Sequence, residues 1–140
     1  MESSDIIRAL WDRIDARDWP GVAALLADDV QVCWPASGEL ITGADNFVAV
    51  QAEYPEGWSI HVLAVVADGE RVVSEVEVPL EGVGVFRVAS FWTVTDGRVA
   101  AGTEYWIGVG TDPAPAWRAP YVRLVPEGEQ ADAHARGDRS

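Results

Sequence analysis

Residues 58–108 read WSIHVLAVVADGERVVSEVEVPLEGVGVFRVASFWTVTDGRVAAGTEYWIG, and their pattern decides the fold. Val, Ile, Thr, Phe and Trp dominate, which is strand composition. Asp68-Gly69 and Asp96-Gly97 tolerate the positive φ of a type I′ hairpin turn, and Glu81-Gly82 is a weaker version of that signal. The stretch therefore predicts an antiparallel meander of four strands, 58–67, 70–80, 83–95 and 98–108. Strands of that length twist and curl. Alternation sorts their faces. Ser74, Val76, Val78 and Leu80 form an apolar face, which sends Glu75 and Glu77 to the opposite side, into solvent or a dimer contact. His61, between Ile60 and Val62, is expected to point outward, and Val65 is expected to be exposed on the convex face. On the last strand Ala100, Gly102, Glu104 and Trp106 share one side, and Val99, Ala101, Thr103, Tyr105 and Ile107 the other.

Upstream lie helical periods. Ser3 or Ser4 can cap a first helix, in which Ile6, Ile7, Leu10, Trp11 and Ile14 repeat on one face. Asp18 caps a second, with Pro20 tolerated in its first turn and Asp28-Asp29 expected to end it. Residues 30–34, VQVCW, alternate as a short strand, and 35–43 read as a loop. A third helix is expected over 44–54, with Phe47, Val50, Gln51 and Tyr54 on one face and Pro55 stopping it. Helices first and a meander second predict an α+β domain with its helices on one face of the sheet.

Downstream, residues 111–120 hold Pro113, Pro115 and Pro120 together with Trp117 and Arg118. Residues 121–125 can add a last short packed segment, and 126–140 carry no apolar side chain larger than Ala. The expected organisation is one domain over 1–125 and a disordered tail over 126–140.

The formal net charge is −13 and Lys is absent, so there is no basic stripe of the kind nucleic acid requires. The acidic surface also argues against anionic membranes, and no apolar run reaches spanning length. Cys33 is the sole cysteine, which excludes an intrachain disulfide and any cysteine-based metal cluster. HxxxH and HxH spacings are missing, as is a phosphate-cradling glycine loop. No cofactor or metal is implied, and the expected setting is cytoplasmic. Seven tryptophans in 140 residues must line a core, a cavity or an interface.

The order helix, helix, strand, helix, long-stranded meander resembles the nuclear transport factor 2-like superfamily, and within it the SnoaL-like, polyketide cyclase-like branch. ALLADDVQVCWP, ITGADNFVAV and TDGRVAAGTEYW carry the likeness, which spans residues 5–108. The resemblance implies a cone-shaped half-barrel, three N-terminal helices on a strongly curved antiparallel sheet, a concave pocket and a homodimer through the convex face. It also implies membership of a group that holds isomerases, dehydratases, cyclases, epoxide hydrolases and non-catalytic binding proteins. The chain departs from the ketosteroid isomerase pattern. Trp34 stands where that group has its general-base Asp, Leu10 where it has an oxyanion-binding Tyr, and the second acidic position falls near Ser90. The His pair of scytalone dehydratases and the Asp-Arg-Asp relay of limonene epoxide hydrolases have no counterpart either.

By the same resemblance Glu104 and Trp106 face the concave side, where small Ala100 and Gly102 would leave room for a ligand. Desolvation raises the pKa of a carboxylate so placed, which suits a proton carrier near neutrality. A structural ion pair with Arg118 is the competing role for Glu104. Gln51 and Tyr54 are expected to reach the cavity and orient a carbonyl or hydroxyl. Trp34, Phe47, Ser90, Trp92 and Trp106 are expected to line it, and Trp117 with Arg118 to close its mouth. An aromatic lining with few polar points suits a flat, apolar, oxygenated small molecule. The expected function is a cofactor-free acid/base enzyme of the cyclase, isomerase or dehydratase kind, with a non-catalytic carrier of a hydrophobic ligand as the alternative.

Overall fold

A computed structural model of the chain describes residues 1–126 and residue 130. The elements run α1 (Ser3–Asp15), α2 (Trp19–Ala24), β1 (Leu26–Trp34), β2 (Glu39–Thr42), α3 (Ala44–Glu53), β3 (His61–Asp68), β4 (Arg71–Leu80), β5 (Gly84–Thr95) and β6 (Arg98–Gly108), followed by a 3-10 turn at Ala116–Tyr121. The strands form one curved, unclosed sheet in the order β2-β1-β6-β5-β4-β3. The four meander strands pair antiparallel, as expected. β1 joins β6 in parallel, so the sheet is mixed and not wholly antiparallel. β2, α3 and the strands β3 to β5, which lie between β1 and β6, give the chain the length that a parallel return requires.

Ile6, Ile7, Leu10, Trp11 and Ile14 of α1 are all buried, against the concave side of the sheet. Glu2, not a serine, occupies the N-cap position, and its N–H donates to Asp5 Oδ2 at 3.2 Å. Ser3 instead donates its hydroxyl to the Gly69 carbonyl at 2.6 Å, tying α1 to the β3–β4 turn. Asp18 caps α2 as expected, accepting from the Gly21 N–H at 3.0 Å. α2 stops at Ala24, before Asp28-Asp29, because the Leu25 carbonyl already accepts from the Val99 N–H and Leu26 pairs with Val99. The expected loop at 35–43 contains β2, paired with β1 from Gln31↔Thr42 to Trp34↔Glu39.

Irregularities in pairing move residues between faces. Thr93 pairs with Ala101 but Val94 with Val99, which leaves Ala100 as an extra residue. Val99, expected on the convex side, is therefore fully buried in the core. A shift between Val62 and Ala64 does the same on β3, so Val66 is exposed and Val65 packs on the core. Asp96 and Gly97 both adopt positive φ, as a type I′ turn demands, whereas the β3–β4 loop is Gly69-Glu70, one residue later than expected. Of the expected tail only Pro126 and Gln130 fall among the described residues; the rest lies outside them. No helix among the described residues is long and apolar enough to cross a membrane.

Candidate functional site

Glu104 sits mid-strand on β6, directly across from Ser90 of β5. Its side chain is almost completely buried, at 1% exposure. Both carboxyl oxygens accept hydrogen bonds: Ser90 Oγ donates to Oε2 at 2.6 Å, and Trp34 Nε1 to Oε1 at 2.9 Å. The parallel pairing of β1 with β6 sets Trp34 beside Glu104, because Cys33 is in register with Thr103. Burial pushes the Glu104 carboxyl above its ordinary value; the bonds from Ser90 and Trp34 oppose that rise without cancelling it. Two carboxyl oxygens offer about four lone-pair sites, so capacity remains for a substrate proton.

An aromatic frame stands around Trp106. Trp34 meets it edge-on at 6.0 Å between ring centroids, Phe86 edge-on at 6.4 Å, and Tyr54 stacks on it at 6.4 Å. Two cavities adjoin this frame. The outer, of about 270 Å³, is lined by Trp34, Ala36, Ser37, Tyr54, Phe86 and Trp106, with Glu104 at its floor. The inner, of about 20 Å³, is bounded by Trp11, Gln51, Trp58 and Ile60 and shares Trp34, Tyr54 and Trp106 with the outer one. A planar apolar molecule fits the outer space, and one oxygen-sized group the inner.

Of the residues expected at the site, Glu104, Trp34, Trp106, Tyr54 and Gln51 come together around these cavities. Ser90 is present only behind Glu104, as its hydrogen-bond donor. Phe47 and Trp92 are core residues, at 1% and 0% exposure, and line neither cavity. The room that Gly102 was expected to leave for a ligand is taken by Trp92: a Cβ on Gly102 would lie 2.5 Å from that ring. Trp92 is locked there because its N–H, like that of Trp11, donates to Ser74 Oγ, at 2.9 and 3.1 Å. Trp117 and Arg118 do not close the mouth. Trp117 is 73% exposed, with the Arg118 guanidinium 5.9 Å from its ring. The Thr111 hydroxyl caps the Gly108 carbonyl at 2.8 Å as the strand ends, and the prolines that follow hold the segment in its own 3-10 turn. Glu104 accordingly takes its partners from Ser90 and Trp34, not from Arg118.

Three aromatic lining residues escaped the sequence pattern: Trp11, Trp58 and Phe86. Trp11 looked like one more core residue of an amphipathic helix, and Trp58 like a strand start. Trp58 is held by Arg17, whose guanidinium lies 3.4 Å over the ring and donates to the Trp58 carbonyl and to Glu56, each at 2.7 Å. Among the described residues no group of three or more His, Cys, Asp or Glu could hold a metal ion.

The sequence profile of the SnoaL-like domain matches residues 7–102. Among solved structures, a protein from Kribbella flavida DSM 17836, provisionally assigned as a ketosteroid isomerase, is 31% identical, with a TM-score of 0.81 over 91% of this chain and 92% of that one. An NTF-2 like protein of unknown function from Burkholderia xenovorans LB400 is 23% identical, with a TM-score of 0.73 over 89% of this chain and 95% of its own. An LEH-like epoxide hydrolase from M. tuberculosis shares the fold at 20% identity, with a TM-score of 0.65 over 75% of this chain and 82% of the other. No curated protein matches the chain significantly in sequence. With residues 7–102 covered by one profile and a 31% identical structure superposing over 91% of the chain, the chain belongs to the SnoaL-like family of the nuclear transport factor 2-like fold.

Proposed function

We propose that the protein is a small-molecule enzyme of the cyclase, isomerase or dehydratase kind, acting by cofactor-free acid/base chemistry on an apolar oxygenated substrate. One observation carries this: a buried carboxyl, Glu104, with its pKa raised, at the floor of a cavity walled mainly by aromatic rings. Glu104 takes a proton from a carbon beside a carbonyl and returns it at another position; the aromatic walls exclude water. The likeness to a provisionally assigned ketosteroid isomerase does not bring that activity with it. Trp34 donates to Glu104, Leu10 is fully buried and Ser90 is spent on Glu104, so none of the three positions carries the group that the activity uses.

The test needs no knowledge of the natural substrate. Aryl ketones such as 1-tetralone are incubated in D2O, and deuterium incorporation beside the carbonyl is followed by NMR. The wild type accelerates exchange and Glu104→Gln returns it to the buffer rate. Exchange equally fast in both proteins removes Glu104 as the proton carrier. A carrier protein is the second reading, favoured because both Glu104 oxygens are already engaged, as those of a structural carboxyl would be. It predicts ketone binding with no exchange in either protein.

A homodimer through the convex face belongs to the same proposal. Val73, Phe91, Tyr105 and Ile107 are exposed there, with Phe91 and Tyr105 edge-to-face at 6.0 Å. Apolar patches of this kind are uncommon on monomers. A cytoplasmic setting is also proposed, supported by an unpaired Cys33.

A further inference from the structure

The buried tryptophan N–H groups divide into two sets. Those of Trp11 and Trp92 donate to Ser74, and that of Trp34 to Glu104. Those of Trp58 and Trp106 are buried without an acceptor among the described residues. A buried donor left unpaired is costly and rare, and each instance calls for an explanation. Here both unpaired donors belong to rings that line the same inner cavity, whose volume of about 20 Å³ fits one oxygen-sized group. An indole N–H can only donate, so the group that satisfies it must accept. The inner and outer cavities share Trp34, Tyr54 and Trp106 as walls, and Glu104 borders the outer one alone. Arg17 fixes the Trp58 ring, stacking on it at 3.4 Å while anchoring to its carbonyl and to Glu56.

We propose that the inner cavity is a carbonyl-oxygen site, in which the Trp58 and Trp106 N–H groups donate to an acceptor oxygen of a ligand whose apolar body fills the outer cavity. The ligand is thereby set oxygen-inward, with its body against Glu104. Its class is a neutral, flat, mostly aromatic or alicyclic ketone. A carbonyl oxygen has lone pairs for both tryptophan N–H groups and brings no hydrogen of its own that needs an acceptor, whereas a plain hydrocarbon leaves both N–H groups unpaired. The proposal rests on the outer cavity being a ligand site, but not on Glu104 being catalytic.

The experiment compares 1-tetralone with tetralin, the same ring system without the oxygen, on full-length protein labelled with 15N-tryptophan. The ketone is expected to bind about fivefold more tightly for one neutral hydrogen bond and roughly 30-fold for two. It should also shift the Trp58 and Trp106 indole N–H resonances downfield, while tetralin leaves them in place. Trp58→Phe and Trp106→Phe, which keep a ring but lose the donor, assign the peaks and should each erase part of the preference. Wild-type binding alone decides the matter if either variant fails to fold. Equal binding of ketone and hydrocarbon, with both resonances unmoved, means a niche holding only water and overturns the proposal while leaving the outer cavity a ligand site. Binding of neither compound at millimolar concentration overturns it together with the ligand-site reading. Ketone preference intact in a Glu104→Gln protein, with α-carbon exchange unchanged from wild type, leaves the oxygen site standing and removes only the catalytic role of Glu104.

Discussion

Replacing Glu104 by Gln measures how the burial of a carboxylate competes with its two hydrogen bonds. The substitution preserves shape and hydrogen bonding. An amide oxygen facing Trp34 Nε1 and an amide N–H facing Ser90 Oγ keep both contacts, because the hydroxyl can turn from donor to acceptor. The folded-state pKa of Glu104 lies above its unfolded value, so its contribution to stability is fully present below the unfolded pKa, about 4.3. As pH rises toward the folded pKa, the unfolded chain ionises first and that contribution is lost. It falls by about 1.4 kcal/mol for each pH unit separating the two values, then levels off. Gln does not titrate, so wild type minus variant isolates residue 104 from the other carboxylates. Urea unfolding at pH 4, 6, 7.5 and 9 provides the readout. The two proteins should lie within about 1 kcal/mol of each other at pH 4, the scale of one rearranged neutral hydrogen bond. The variant should then gain on the wild type as pH rises. A difference that is flat with pH would show that the bonds from Ser90 and Trp34 balance desolvation, and one that moves toward the wild type that they outweigh it. Glu104 would then be an ordinary ionised carboxylate, unsuited to returning a proton.

Three other outcomes follow from the packing. Gly102→Ala places a methyl 2.5 Å from the Trp92 ring, which Ser74 holds in place, so it should cost about 1–3 kcal/mol and lower Tm accordingly; an unchanged Tm would mean that Trp92 can shift and the space is open after all. Ser74→Ala strands the N–H groups of Trp11 and Trp92 together and should cost about 2–5 kcal/mol in urea unfolding, against a few tenths if water enters to replace the hydroxyl. Tyr105→Asp puts a charge in the middle of the exposed convex patch and should shift light scattering from a dimeric to a monomeric mass; a wild type that is already monomeric at micromolar concentration refutes the dimer.

The meander was legible because its signals are local. Turn dipeptides and period-two alternation lie within a few residues of the strands they define, and the amphipathic spacing of α1 is equally self-contained. Faces were misassigned where pairing slips. The extra residue at Ala100 swaps Val99 to the core, and the shift on β3 swaps Val65 with Val66. Nothing in either strand's own sequence marks these slips, because they arise from matching one strand to its neighbour. β2 and the early end of α2 were missed for the same reason: both depend on hydrogen bonds to residues far along the chain.

At the site, small residues misled in a specific way. Gly102 was taken as space for a ligand, yet a glycine in a strand can equally make room for a neighbour's side chain, and Trp92 of β5, its cross-strand partner, claims it. The two cases differ only in whether that partner is large and held in place, and what holds Trp92 is Ser74, a third residue on a third strand. The same logic separates the tryptophans. Composition shows seven indoles but cannot show which N–H groups have acceptors. Trp11, Trp34 and Trp92 found theirs at Ser74 and Glu104, across 63, 70 and 18 residues of sequence. Trp58 and Trp106 found none among the described residues. What divides the buried tryptophans here is therefore a long-range hydrogen bond made or left unmade. The unmade ones border a cavity with room for a single oxygen-sized group.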